Sequence, residues 1–326
     1  TTQDITVTIK DTNDNRPIIT SPNVFTVDEN QLSVGTVTFT DADGGSNDPD
    51  WKAFFIRDGV DKDLFEIGFK TGVITFKSAP DYETKSEYNF QVNVSDGELP
   101  ETTQQVKVII RDQNDNAPVF TSSATVTIEE NKTAVTTLAT TDVDTNPTVS
   151  YSITDGADAS SFAVTADGVL TLTTAADYES GKTSYEVIVT ATDNDGTNST
   201  PQTITVTIED VNDNAPVFTM NTLLDIDENT TAVTTLTTTD ADTNPTVSYS
   251  ITGGPDAASF AVNESTGALT LITAADHESG KILYEVIVSA NDGVNSTDQG
   301  IRLSINDVND NAPVFTSSAT VTIEEN

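Results

Sequence analysis

Short runs of alternating apolar and polar residues follow one another along the chain. In the middle third they are Val126/Ile128, Val149/Tyr151/Ile153, Phe162/Val164, Leu170/Leu172, Tyr185/Val187/Val189/Ala191 and Ile204/Val206/Ile208. A period of two over four to eight residues, rich in Val, Ile and Thr, predicts half-buried strands. A Thr-rich run from Val135 to Thr141 predicts one more strand, and clusters of Gly, Asp, Asn and Pro separate the runs. Seven strands in about a hundred residues predict a two-sheet Greek-key β-sandwich. One face of each sheet is then buried and a hydroxyl-rich face is left to water. No stretch predicts a helix of three turns.

The pattern returns. A pentapeptide marks the period: Asp11-Thr12-Asn13-Asp14-Asn15, Asp112-Gln113-Asn114-Asp115-Asn116, Asp210-Val211-Asn212-Asp213-Asn214 and Asp307-Val308-Asn309-Asp310-Asn311. Pro17, Pro118, Pro216 and Pro313 follow two residues after each copy. The spacing of about a hundred residues is one ordinary single-core domain. The predicted fold class is therefore all-β, with tandem seven-stranded Greek-key sandwiches in a linear array. The expected boundaries are 17–116, 117–214 and 215–311. Residues 1–16 read as the terminal strand and linker of a preceding repeat, with Ile5, Val7 and Ile9 alternating as Ile204, Val206 and Ile208 do. Residues 312–326 repeat 117–131 letter for letter and read as the first strand of a following repeat. The chain is expected to be a piece of a longer array, whose dangling strands pair with another molecule or fray.

Charge narrows the chemistry. The chain has 14 basic and 52 acidic residues, a net charge of −38. That argues against nucleic acid, whose phosphates need Lys and Arg, and against anionic membrane surfaces. There is no Cys, so disulfides and thiolate metal sites are absent. No apolar run is long enough to span a bilayer.

The carboxylates are periodic. Besides the pentapeptide, each repeat carries Glu-Asn near its start (Glu29-Asn30, Glu130-Asn131, Glu228-Asn229) and then Asp-x-Asp (Asp41/Asp43, Asp142/Asp144, Asp240/Asp242). An Asn follows each Asp-x-Asp, at Asn47, Asn146 and Asn244. Further on come Asp-x-Glu (Asp81/Glu83, Asp177/Glu179, Asp276/Glu278) and a lone Asp before a Gly-rich turn (Asp96, Asp193, Asp292). Asp and Asn in loops are also ordinary turn formers, but that role does not predict the same order ahead of every pentapeptide. Hard oxygen ligands in such number suit Ca2+. Magnesium wants fewer protein oxygens, and zinc wants His or Cys, of which there is one His and no Cys. Carboxylates brought to about 4 Å repel by roughly 4 kcal/mol per pair at an effective dielectric near 20. The joints are therefore expected to be loose without a cation and stiff with one.

These residues resemble cadherin repeats over the whole chain. Glu29-Asn30, Thr71-Gly72-Val73-Ile74, Asp81-Tyr82-Glu83, the Asp96-Gly97 turn and Asp112–Asn116 with Ala117-Pro118 fall in the family's order. The resemblance implies three Ca2+ ions per complete joint. At the first complete joint it implies one ion on Glu29, Asp81, Glu83 and Asp115. A second would use Glu29, Glu83, Asp112, the Gln113 carbonyl, Asp115 and Asp144. A third would use Asn114, the Asn116 carbonyl, Asp142, Asp144, the Asn146 carbonyl and Asp193. The next joint maps onto Glu130, Asp177, Glu179, Asp210, Val211, Asn212, Asp213, Asn214, Asp240, Asp242, Asn244 and Asp292. The outer joints are partial. Asp11, Thr12, Asn13, Asp14, Asn15, Asp41, Asp43, Asn47 and Asp96 form one. Glu228, Asp276, Glu278, Asp307, Val308, Asn309 and Asp310 form the other.

Departures from the family pattern leave the carboxylates in place. No Trp stands near the start of a repeat, so strand exchange has no anchor. His277 sits inside Asp-x-Glu and reads as a spacer between two ligands. The turn after Asp193 carries an extra residue, Asn194-Asp195-Gly196. Trp51 reads as a loop residue rather than a sugar platform, since it is not repeated. Sequons at Asn93, Asn131, Asn198, Asn229, Asn263 and Asn295 are expected in a chain rich in Asn, Ser and Thr.

The expected function is a calcium-binding, extracellular, cell-surface adhesin segment. Its ions stiffen a repeat array for cell adhesion, and its near-identical Thr-rich repeats resemble those of large bacterial adhesins. The expected partners are calcium, neighbouring repeats, and another cell surface, a like molecule or a glycan. The alternative is a module making direct homophilic or carbohydrate contacts. No nucleophile constellation, Gly-rich phosphate loop or catalytic His pairing points to an enzyme.

Overall fold

The alternation becomes buried sheet faces. In the computed structural model, which describes all residues except 10–11, 44–52, 146, 195, 244, 318, 321 and 324–326, the first repeat contains nine strand segments. They are β1 (Ile18–Ile19), β2 (Val24–Asp28), β3 (Ser33–Thr36), β4 (Phe39–Thr40), β5 (Ala53–Asp58), β6 (Phe65–Ile67), β7 (Val73–Phe76), β8 (Glu87–Ser95) and β9 (Thr102–Arg111). On β8, Tyr88, Phe90, Val92 and Val94 are buried while Glu87 and Asn89 face out. Val106, Val108 and Ile110 do the same on β9.

The strands form a sandwich. One sheet has the order β2-β9-β8-β5, and the other has β3-β7-β6, with β1 paired to β4. β2 runs parallel to β9, Val24 opposite Lys107, and the other neighbours are antiparallel. Two of the seven predicted strands are therefore interrupted. The first crosses from one sheet to the other between β1 and β2, where Ser21-Pro22 lies and Pro supplies no donor. The second bends at a register shift between Ser33 and Gly35 and stops before Val37, whose N–H donates to the Gly72 carbonyl at 2.9 Å.

The third repeat has the same order, with Leu223–Asp227 parallel to Ser296–Asn306. The middle repeat contributes the same nine segments between Val119 and Glu209. Its segment Ser150–Asp155 pairs antiparallel with Ser184–Thr192. Among the described residues, helix is confined to three-residue 3-10 turns.

The cores differ in chemistry. In the first repeat Phe65 stacks on Phe76 and Phe90 at centroid distances of 4.4 and 4.3 Å, with Tyr88 edge-on at 5.8 Å from Phe65. The third repeat packs Phe260 with aliphatic residues, among them Leu269, Leu271, Val286, Val288, Ile301 and Leu303. Burying each large apolar side chain contributes roughly 1.5–3 kcal/mol.

An ion pair ties the Asp-x-Glu loop to its sandwich. Buried Asp61 accepts from the Asn89 N–H at 2.8 Å and from the Lys85 ammonium. Lys85 also lies 4.9 Å from the Tyr88 ring centre, and its backbone N–H donates to the Asp81 carbonyl at 2.9 Å. Asp256, Lys281 and Tyr284 repeat the arrangement. Nothing in the sequence reading anticipated this pair.

The chain divides into two compact units. One comprises residues 1–124, 136–171 and 186–205, the other 125–135, 172–185 and 206–326. The residues around the second pentapeptide fall entirely in the first unit, and those around the third entirely in the second. Ile5, Val7 and Ile9 are exposed and lie in no strand.

Candidate metal centre

Each site is organised by a buried glutamate. Glu29 follows β2 directly, and its N–H donates to the Arg111 carbonyl at 3.1 Å. Its Oε2 accepts from the Tyr82 N–H at 2.8 Å, and its Oε1 accepts from the Gln113 N–H at 2.7 Å. One donor belongs to Asp-x-Glu and the other to the pentapeptide. Glu130 repeats this with Tyr178 (2.7 Å) and Val211 (2.9 Å), and Glu228 with His277 (2.7 Å) and Val308 (2.9 Å). A carboxylate oxygen with one N–H donor keeps acceptor capacity for a cation.

Other carboxylates converge on these glutamates. Oxygens of Glu29, Asp81 and Glu83 lie within 4.8 Å of one another, as do those of Glu83, Asp112 and Asp144. In the second unit the same holds for Glu130, Asp177 and Glu179, and for Glu179, Asp210 and Asp242. Like charges this close repel by about 3 kcal/mol per pair at an effective dielectric near 20. Burial, followed by the charges of Glu29 and Asp112, pushes Glu83 up to about 7. Burial with Glu130 and Asp210 raises Glu179, and burial with Glu228 raises Glu278. The Thr84 hydroxyl and N–H, at 2.9 and 3.1 Å, pull Asp81 below the usual carboxylate range. The Thr243 hydroxyl does the same for Asp210.

The Asp-x-Asp pair comes from the following repeat. Asn116 donates to both Asp144 oxygens, from its N–H at 3.1 Å and its side-chain amide at 2.8 Å. Asn214 holds Asp242 likewise, at 3.1 and 2.9 Å. Asp144 and Asp242 in turn donate their N–H to Asp142 and Asp240 at 3.2 Å. The lone aspartates Asp193 and Asp292 are buried in their turns and accept from Gly196 (3.2 Å) and from Val294 and Asn295 (both 2.7 Å).

Several of these carboxylates have an oxygen that nothing satisfies. Among the described residues, buried carboxylate oxygens without a hydrogen-bond partner occur on Asp96, Asp112, Asp142, Glu179, Asp193, Asp210, Asp240 and Asp292. All eight belong to the ligand set expected from sequence. A buried, unpaired charged oxygen is costly, and a hard divalent cation with several oxygen ligands removes the cost. The donor set therefore fits calcium.

The outer sites are less complete. Around the first pentapeptide, the Asn15 N–H and side-chain amide both reach Asp43, whose N–H donates to Asp41 at 3.1 Å. Around the last, a His277 ring nitrogen lies within 4.8 Å of Glu278 and Asp307 oxygens. Asp11, Asn47, Asn146, Asn244 and also Trp51 lie outside the described residues. Asp14 meets Asp43 through its backbone N–H and its side chain, and Asp310 accepts from the Asn229 and Asn311 amides at 2.6 and 2.9 Å; Thr12 and Asn309 also lie among the described residues.

Three kinds of contributor were not anticipated. Asn30, Asn131 and Asn229 donate their side-chain amides to Asp115, Asp213 and Asp310 at 2.5, 2.6 and 2.6 Å. Asn198 donates to the Asn114 carbonyl at 2.9 Å, and Asn295 to the Asn212 and Asn214 carbonyls at 3.4 and 3.2 Å. Thr145 and Thr243 donate backbone N–H groups to Asp112 and Asp210. The Glu-Asn pair and an Asn shortly after the lone Asp were the available signals.

A profile of the cadherin domain matches residues 23–111, 124–209 and 223–324. Mouse protocadherin Fat 4 is 33% identical over 99% of this chain, and human protocadherin-23 is 33% identical over 58% of it. The chain spans 7% of the first relative and 6% of the second. The protocadherin gammaB4 extracellular domain superposes with a TM-score of 0.63 at 27% identity, over 95% of this chain and 53% of that one. Mouse cadherin-23 EC22-24 shares the fold, with a TM-score of 0.65 at 23% identity over 90% of this chain and all of that one. Such relatives are cell-surface adhesion proteins and not enzymes. The chain belongs to the cadherin family, as a run of tandem all-β cadherin repeats.

Proposed function

We propose that this chain is a calcium-binding adhesion segment whose repeats, bounded near 17–116, 117–214 and 215–311, are stiffened by ions at their joints. The observation that supports it is the convergence of buried carboxylate oxygens without partners on the second and third pentapeptides. Three ions per complete joint is our reading of the ligand set: Glu29, Asp81, Glu83, Asp112, Asp115, Asp142, Asp144 and Asp193 at one, and their counterparts from Glu130 to Asp292 at the other. Asn114, Asn116, Asn212 and Asn214 complete these sets, with the carbonyls of Gln113 and Val211.

Calcium, when bound, supplies the positive charge that these carboxylates lack. The chain's own residues do the rest. Glu29 and Glu130 hold Asp-x-Glu and the pentapeptide at a fixed separation through backbone donors. Asn116 and Asn214 fix the aspartate of the following repeat. The neighbouring repeat is therefore the first partner.

Small-angle scattering of the whole chain in calcium and in chelator tests the stiffening. The expected result is a larger maximum dimension with calcium. The same dimension in both conditions would overturn the proposal.

A further inference from the structure

Three asparagines hold an unusual backbone conformation. Among the described residues, the only non-glycine residues with positive φ are Asn30 (61°), Asn131 (60°) and Asn229 (62°). Each follows the buried glutamate directly. Their backbone N–H groups donate to the carbonyls of Pro80, Ala176 and Ala275 at 3.0, 2.9 and 2.9 Å, the residues just before each Asp-x-Glu. Their side-chain amides reach the other acidic segment, at Asp115, Asp213 and Asp310. One residue thus ties both acidic segments of its repeat.

The second oxygen of each aspartate is held as well. Asp115, Asp213 and Asp310 accept on Oδ1 from the amides of Asn116, Asn214 and Asn311 at 2.8, 2.7 and 2.9 Å. A neutral amide on each oxygen fixes the carboxylate plane and leaves its charge intact. A Lys or Arg there would fix the plane but compete with a cation. The backbone alone does not call for Asn, because Gly adopts this conformation at no steric cost.

We propose that Asn30, Asn131 and Asn229 are positioning residues that orient the pentapeptide aspartate for cation binding. The inference rests on the calcium reading above and concerns residues outside the expected ligand set.

The test uses the whole chain with Asn131→Gly, which keeps the backbone conformation and removes the amide, beside Asn131→Ala, which disturbs both. In chelator, hydrogen exchange at residues 210–214 is expected to speed up in Asn131→Gly, with a small fall in melting midpoint from the lost hydrogen bond to Asp213. Asn131→Ala is expected to lower the midpoint further. In a calcium titration, Asn131→Gly is expected to weaken binding at the second complete joint by about tenfold, the scale of one lost hydrogen bond to a charged acceptor. A wild type that binds calcium beside an Asn131→Gly chain that binds it equally well would overturn the inference. If the wild type binds none, the calcium reading falls first. Exchange in chelator then decides alone, and wild-type exchange rates in Asn131→Gly would overturn the inference.

Discussion

Asn116 grips Asp144 with two donors, its backbone N–H at 3.1 Å and its side-chain amide at 2.8 Å. The pair joins the pentapeptide that ends one repeat to the Asp-x-Asp of the next, and Asn214 with Asp242 repeats it. Asp144 also stands within the Glu83–Asp112 carboxylate cluster. With Asp142 and Asp193, it is therefore a residue through which a cation at this joint would couple to the second repeat.

Asp144→Ala is expected to reduce calcium uptake at the first complete joint and leave the second intact, with Asp242→Ala the mirror image. The affected sites should weaken at least tenfold, because a shared ligand is lost and the donors on Asn116 are left unpaired, at about 1–3 kcal/mol. Titration calorimetry on the two variants reads this, and equal losses at both joints from one substitution would count against separate sites.

The raised carboxyls give a pH dependence with a definite sign. Glu83 is held near 7, and Glu179 and Glu278 are raised in the same direction, chiefly by burial. A carboxyl whose folded pKa exceeds its unfolded value near 4.5 binds a proton more tightly in the folded chain. In chelator, stability should therefore fall as pH rises from about 4.5 to 7. Calcium should bind more weakly below pH 7, since protons compete for the same oxygens. Thermal melts in chelator at pH 5.5 and 8, with calcium isotherms at both, check the two signs.

Lys85→Met leaves the buried Asp61 carboxylate without its cation. The expected destabilisation of the first repeat is about 1–2 kcal/mol, discounted because the lysine side chain is 42% exposed. Denaturant unfolding in chelator measures it. Phe90→Ala, in the fully buried aromatic cluster, should cost more, about 3–5 kcal/mol.

Much of the fold is legible along the sequence because sheet burial has a period of two, and the runs at Tyr185–Ala191 and Ile204–Ile208 became long central strands. The interruptions of the first two strands were not anticipated. Pro22 marks the first break locally in the first repeat, but the change of partner depends on Ile18–Ile19 pairing with Phe39–Thr40 while Val24–Asp28 joins distant Thr102–Arg111, and such long-range choices are not written in the local pattern. In the site, repetition exposed the carboxylates. It also displayed Asn30, Asn131 and Asn229, but their part depends on a positive φ, which composition does not reveal. The Asp61–Lys85 pair joins residues far apart in sequence, and only folding brings them together.

The most direct test of the central claim is a calcium titration of the intact chain by calorimetry, with magnesium as the control. The prediction is saturable uptake approaching three ions for each complete joint, reduced selectively by Asp144→Ala and Asp242→Ala and not reproduced by magnesium. A wild-type chain that takes up no calcium at millimolar concentration, or whose uptake both substitutions leave unchanged, would contradict it.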